Sequence, residues 1–87
     1  MYKLEVTRSF LKDLEKIDAR QRRIILIRMN AELNGAENPR SFGKELKGKK
    51  KGFWRYRYGN YRVIAKINDK ELIILALQVG HRQDIYK

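Results

Sequence analysis

The chain has 87 residues, with 21 Lys+Arg against 10 Asp+Glu and one histidine, a net charge of +11 with the histidine neutral. A core of this size covers only about 60% of the unfolded surface, so residues 1–87 make one domain, and so strong a basic excess draws in polyanions, nucleic acid above all. The absence of cysteine excludes disulfides, thiolate metal sites and a cysteine nucleophile; together with the charged start MYKLEV and a longest apolar run of only Leu72–Leu77, it points to a cytoplasmic protein with no membrane association.

Tyr2, Leu4 and Val6 alternate with Lys3 and Glu5, the period of a short edge strand with one buried face. Thr7 or Ser9 can cap a helix whose Phe10, Leu11, Leu14 and Ile17 share one stripe, and Asp18 stops it. Asp18 with Gln21 reads as a capping box, opening a second helix through Ile24, Ile27 and Ala31 that closes at Asn34-Gly35, where glycine accepts the left-handed conformation. The run Ile24-Ile25-Leu26-Ile27 is apolar around more of this helix than one core face requires. A broadly buried helix explains that, and so does a partner covering part of it.

Asn38-Pro39 marks a loop, and Gly48 to Gly52 with three lysines between them makes a second, basic connection. Three strands follow over residues 53–58, 61–67 and 71–79. They are joined by a tight Gly59-Asn60 turn and by Asn68-Asp69-Lys70, links short enough to imply an antiparallel meander. Leu72–Val79, apolar on both faces, reads as the central strand. The expected fold class is α+β, a two-helix hairpin packed on a curved, four-stranded, mainly antiparallel sheet in the order β-α-α-β-β-β.

The charge is concentrated. Residues 44–66 hold nine cations (Lys44, Lys47, Lys49, Lys50, Lys51, Arg55, Arg57, Arg62 and Lys66) and one acid, Glu45, a local charge of +8. Within FWRYRYGNYR the alternation of a strand puts Trp54, Tyr56 and Tyr58 on one face and Phe53, Arg55 and Arg57 on the other. Across the turn, Tyr61, Val63, Ala65 and Ile67 make the apolar face, which leaves Arg62 on the side of the arginine pair. Guanidinium forks match phosphate oxygens bidentately, so a phosphate is the expected guest. The end of the last strand, GHRQDIY, adds His81, Arg82 and Tyr86. Each is ordinarily structural when taken alone; beside a cationic hairpin they supply a titratable group, a further phosphate clamp and an aromatic plate.

The pattern LKG…GFWRYRYGNYRVI…LQVGHRQDIY, preceded by a helical hairpin, resembles the RelE family of the RelE/ParE toxin superfamily over essentially the whole chain. The resemblance implies a microbial RNase-like fold and a metal-independent, cofactor-free endoribonuclease, an mRNA interferase. Such a toxin cuts messenger RNA in the ribosomal A site, inhibits translation, and is held in a hetero-oligomer by an acidic cognate antitoxin. By position, the family's basic pair falls on Arg55 and Arg57, its central arginine on Arg62, its last-strand arginine on Arg82 and its stacking tyrosine on Tyr86. Well-known members carry lysines at the paired positions, and arginine cannot act as a base in their place. Glu45, near the position of a glutamate base in some relatives, and His81 are therefore the proton-transfer candidates, with Lys47, Lys49, Lys50 and Lys51 as further RNA contacts.

Chemically, the RNA 2′-hydroxyl serves as nucleophile. A base takes its proton, Arg62 with Arg55 and Arg57 holds the growing phosphorane charge, Arg82 or His81 assists the departing 5′-oxygen, and Tyr86 stacks on a base. Two rivals share many of these features: a ParE-like DNA gyrase poison, and a non-catalytic nucleic-acid-binding module.

Overall fold

The computed structural model describes residues 1–81 of the chain. The first strand, β1 (Lys3–Val6), passes into helix α1 (Arg8–Glu15) through Thr7. The Thr7 hydroxyl accepts the Phe10 amide at 3.1 Å and lies 3.3 Å from the Ala76 carbonyl oxygen. One side chain thus caps the helix and ties its start to the last strand.

Helix α2 (Ala19–Leu33) begins where the sequence places it, with the Asp18 carboxylate accepting the Gln21 amide at 3.2 Å. It ends at Asn34, and Gly35 follows with φ 86°. The Gly35 amide then donates to the Tyr2 carbonyl at 2.6 Å, joining the hairpin's end to β1.

The buried stripe of α2 differs from the expected one. Ile25, Met29 and Leu33 enter the core at 0–1% exposure, whereas Ile27 is 62% exposed, Ile24 and Leu26 are 40% exposed, and Ala31 is also at the surface. Four consecutive apolar residues span most of the helix circumference and do not choose a side; the spacing of four from Ile25 through Met29 to Leu33 does.

After a 3₁₀ turn (Pro39–Phe42) the chain forms β2 (Lys44–Glu45), then a second 3₁₀ turn (Gly48–Lys50). The sheet is completed by β3 (Phe53–Tyr58), β4 (Tyr61–Asn68) and β5 (Ile73–His81). Its order is β1-β5-β4-β3-β2, so it has five strands where four were expected. A two-residue strand is too short to leave an alternation in the sequence. The middle position belongs to β4. Strand β5 is internal instead, held between β4 antiparallel and β1 parallel. Both helices pack on one face, as expected. Phe10, Leu14, Ile17, Ile25, Met29 and Leu33 meet Tyr56, Tyr58, Val63, Ala65, Ile74, Ala76 and Val79 from the sheet. Among the described residues no helix is long and apolar enough to cross a membrane.

The edge near β2 is fixed by two close contacts. The buried Tyr56 hydroxyl donates to the Pro39 carbonyl at 3.0 Å, and a Cβ on Gly43 would come within 2.6 Å of the Arg55 carbonyl oxygen and 2.8 Å of the Tyr56 ring. Gly43→Ala should therefore cost about 1–3 kcal/mol, read as a lower urea midpoint at unchanged slope.

Burial pushes the Tyr56 hydroxyl up to about 12, and burial with the Glu32 carboxylate raises that of Tyr58 as well. A phenol whose folded pKa lies above its unfolded value of about 10 stabilises the fold below that value, and the contribution is lost as pH rises toward 12. Stability should fall by about 3 kcal/mol over that window on account of Tyr56. Tyr56→Phe should lose about 1 kcal/mol at neutral pH with the Pro39 bond and then show a shallower alkaline decline.

Candidate nucleic-acid interface

With Tyr56, Tyr58, Val63 and Ala65 turned toward the helices, their neighbours along β3 and β4 belong to the opposite, open face of the sheet. The strand register sets who meets whom there. Arg57 stands directly opposite Arg62, Arg55 opposite Ile64, and Lys44 opposite Arg55 on the far side. Directly opposed Cβ atoms lie about 5 Å apart, and Arg55 and Arg57 are separated by roughly 7 Å along their strand. The three arginines named from the sequence therefore share one patch, with Lys44 added by the strand that sequence reasoning missed.

Arg62 is oriented as expected but is not at the surface: it is 6% exposed, the one buried charged residue among those described. On its other flank β5 contributes Gly80, which places no side chain beside it. A guanidinium held this closely keeps its fork in one orientation, which a bidentate anion site requires.

The other expected site residues are distributed differently. Glu45 lies on β2 rather than on a loop, and its register partner is Trp54. It therefore belongs to the helix side of the sheet, away from Arg55, Arg57 and Arg62. His81 pairs with Tyr61 at the end of β5, and the two rings meet edge to face with centroids 5.8 Å apart and planes at 83°. That again is the side of Val63 and not of Arg62. Lys47, Lys49, Lys50 and Lys51 are all exposed on and around the second 3₁₀ turn, anchored by the buried Leu46. Arg82 and Tyr86 lie outside the described residues.

A cleft of about 310 Å³ at the free edge of β3 is lined by Glu32, Phe42, Lys44, Arg55 and Arg57 among others. Glu32 is a carboxylate that sequence reasoning left unused. Nothing in its helical setting marks it, because only the turn at Ser41-Phe42-Gly43 brings α2 and β3 to one cleft. Among the described residues no three or more His, Cys, Asp or Glu side chains stand together as a metal site.

Residues 4–86 match the family model of the ParE toxin of type II toxin–antitoxin systems. The chain is 29% identical over 86 residues to Toxin RelG of Mycobacterium tuberculosis, covering 99% of this chain and 97% of that protein. The fold is similar to the toxin–antitoxin complex RelBE2 from Mycobacterium tuberculosis, with a TM-score of 0.81 and 27% identity over 93% of this chain and 98% of that one. It is also similar to the archaeal RelE–RelB complex from Pyrococcus horikoshii, with a TM-score of 0.70 and 26% identity over 95% and 97% of the two chains. With an arginine patch on a five-stranded sheet, a two-helix cover and a family match along nearly its whole length, the chain belongs to the RelE/ParE superfamily of type II toxin–antitoxin toxins.

Proposed function

We propose that the protein is a ribosome-dependent endoribonuclease that cuts messenger RNA in the A site and is restrained by an acidic antitoxin. The observation that carries this reading is the pairing of Arg57 with the buried Arg62, with Arg55 beside them on one rigid face. Cleavage needs no external nucleophile. The 2′-oxygen attacks the adjacent phosphorus as its proton passes to water, the bond from phosphorus to the 5′-oxygen breaks, and that oxygen takes a proton from water. The products are a 2′,3′-cyclic phosphate and a 5′-hydroxyl. Arg62, Arg57 and Arg55 bind the phosphate and gain most as its charge grows. The surrounding lysines at 47, 49, 50 and 51 hold neighbouring phosphates. The reading departs from the sequence expectation in leaving Glu45 out of the proton transfer, because its strand position is on the other face. His81 is left out on the same ground, since its register partner Tyr61 lies on the Val63 side of the sheet.

Purified protein should cut programmed ribosomes well and naked RNA poorly, with or without a chelator; equal cutting of both substrates would refute ribosome dependence. Arg62→Lys keeps the charge and much of the packing but loses the fork. It should lower single-turnover cleavage on ribosomes, and Arg62→Ala should lose on the order of 2–4 kcal/mol of transition-state stabilisation. Glu45→Gln should cut at the wild-type rate.

The ParE description of the matching family favours one second reading, a poison of DNA gyrase. Inhibition of purified gyrase by a protein that leaves translated messages intact would decide for it.

The antitoxin part of the proposal draws on the toxin–antitoxin complexes among the similar structures and on a surface of this chain. Ile24, Leu26 and Ile27 form an exposed apolar run on α2 with the exposed Arg20 and Arg23 beside it, which suits an amphipathic helix with acidic residues along one side. A small acidic protein encoded beside the toxin should neutralise it on co-expression, and the complex should weaken as salt rises. Flanking products that neither bind nor protect would remove this part of the reading.

A further inference from the structure

We infer that the open face of the sheet holds a nucleobase pocket beside the arginine patch, formed by Phe53, Ile64, Leu77 and Gln78 with Lys50 at its rim. The inference rests on the reading of this face as an RNA site and names the part of the substrate it takes.

A cavity of about 180 Å³ is lined by these five residues and opens on the face that carries Arg55, Arg57 and Arg62. Three strands and the basic turn build it. Phe53 begins β3, Ile64 is opposite Arg55 on β4, and Gln78 is the register partner of Ile64 on β5. Leu77 and Gln78 are adjacent in sequence, and in a regular strand they would point to opposite faces. The register between β4 and β5 shifts between Ile64 and Ala65, so that Ala65 pairs with Ala76 and Leu77 is left over. This bulge lets both side chains line one cavity, the kind of local re-aiming for which bulges recur beside functional sites.

The lining has the chemistry of a base site. Phe53 is a half-buried aromatic ring, Ile64 a nearly closed floor at 5% exposure, and Gln78 an exposed amide able to donate and accept toward one edge of a heterocycle. Lys50 is exposed at the rim, where a phosphate would pass. Since a water takes about 30 Å³ of liquid, the cavity has room for a single planar ring and none for a helix. Its position suits a nucleotide next to the clamped phosphate, because Ile64 follows Arg62 by one step of the pleat, roughly 7 Å. An aromatic plate in a basic groove is how single strands are held with little sequence cost, and an amide beside it adds preference.

The test measures binding of the full chain to labelled 2′-O-methyl hexanucleotides, which cannot be cut, at fixed salt. Phe53→Leu keeps the apolar volume and should weaken binding roughly tenfold. The same substitution should leave binding of a hexanucleotide lacking bases unchanged. Gln78→Leu, on an exposed position with little bearing on folding, should change the order of preference among the four bases, and the salt dependence should stay the same in both variants because no phosphate contact is removed. Wild-type affinity and preference in both variants would overturn the pocket. So would variants that lose affinity for an acidic antitoxin while binding RNA normally, an outcome that assigns the cavity to the antitoxin. A wild-type protein that fails to cut on ribosomes but binds hexanucleotides through Phe53 would end the RNase reading and leave the pocket standing. Normal ribosomal cutting with no effect of either substitution would do the reverse.

Discussion

The pleat of β3 is the constraint on which the rest of this molecule depends. Two helices cover only one face of the sheet, and Tyr56 and Tyr58 must go to that face because they are too large and too apolar to leave in water. Once they are committed, a strand offers no freedom to the residues between them: Arg55, Arg57 and Phe53 are sent to the other side. The guanidinium patch is thus a consequence of where the aromatic rings go. The Gly59-Asn60 turn then fixes the register that brings Arg62 opposite Arg57. A slip by one residue would invert both faces and destroy core and patch together.

The edge of the sheet shows how packing builds a site from segments that have no pattern of their own. The Tyr56 hydroxyl holds the Pro39 carbonyl, and Gly43 lets the returning chain pass against the backbone of Arg55. At the far side of the same loop Arg40 forms a two-pronged ion pair with Asp69, at 2.9 and 3.0 Å, beneath which lies the Trp54 ring at 5.7 Å. Tyr2 donates to the same Asp69 at 2.6 Å. An exposed pair of this kind adds little stability. Its effect is geometric, since it joins the N-terminus, the loop before β2 and the β4–β5 turn.

Charge and shape have separate parts here. The exposed lysines near the second 3₁₀ turn raise the local concentration of any polyanion without orienting it, and their influence fades with salt. Orientation is the part of the buried groups: Arg62 beside Gly80, and the floor of Ile64 under Phe53 and Gln78.

The sequence alone determined a great deal, because much of this fold is governed by local rules. Period-two alternation in Trp54–Tyr58 separated aromatic from arginine side chains, Asp18 and Gly35 marked the ends of α2, and a two-residue turn dictated an antiparallel hairpin. The family pattern was legible for the same reason, being carried by consecutive residues around that turn. What only the tertiary structure decided depends on segments distant in the chain. The side of α2 that is buried could not be read from Ile24–Ile27, since an apolar run has no phase until a sheet is laid against it. Glu45, a proton-transfer candidate by its place in the family pattern, is a strand residue on the face opposite the arginines, and the sequence could not show this because a two-residue strand pairs with whatever lies beside it and carries no signal of its own. The cavity under Phe53 was hidden for a related reason: its walls come from three strands and a bulge, and a bulge is a mismatch between two strands that neither one contains by itself.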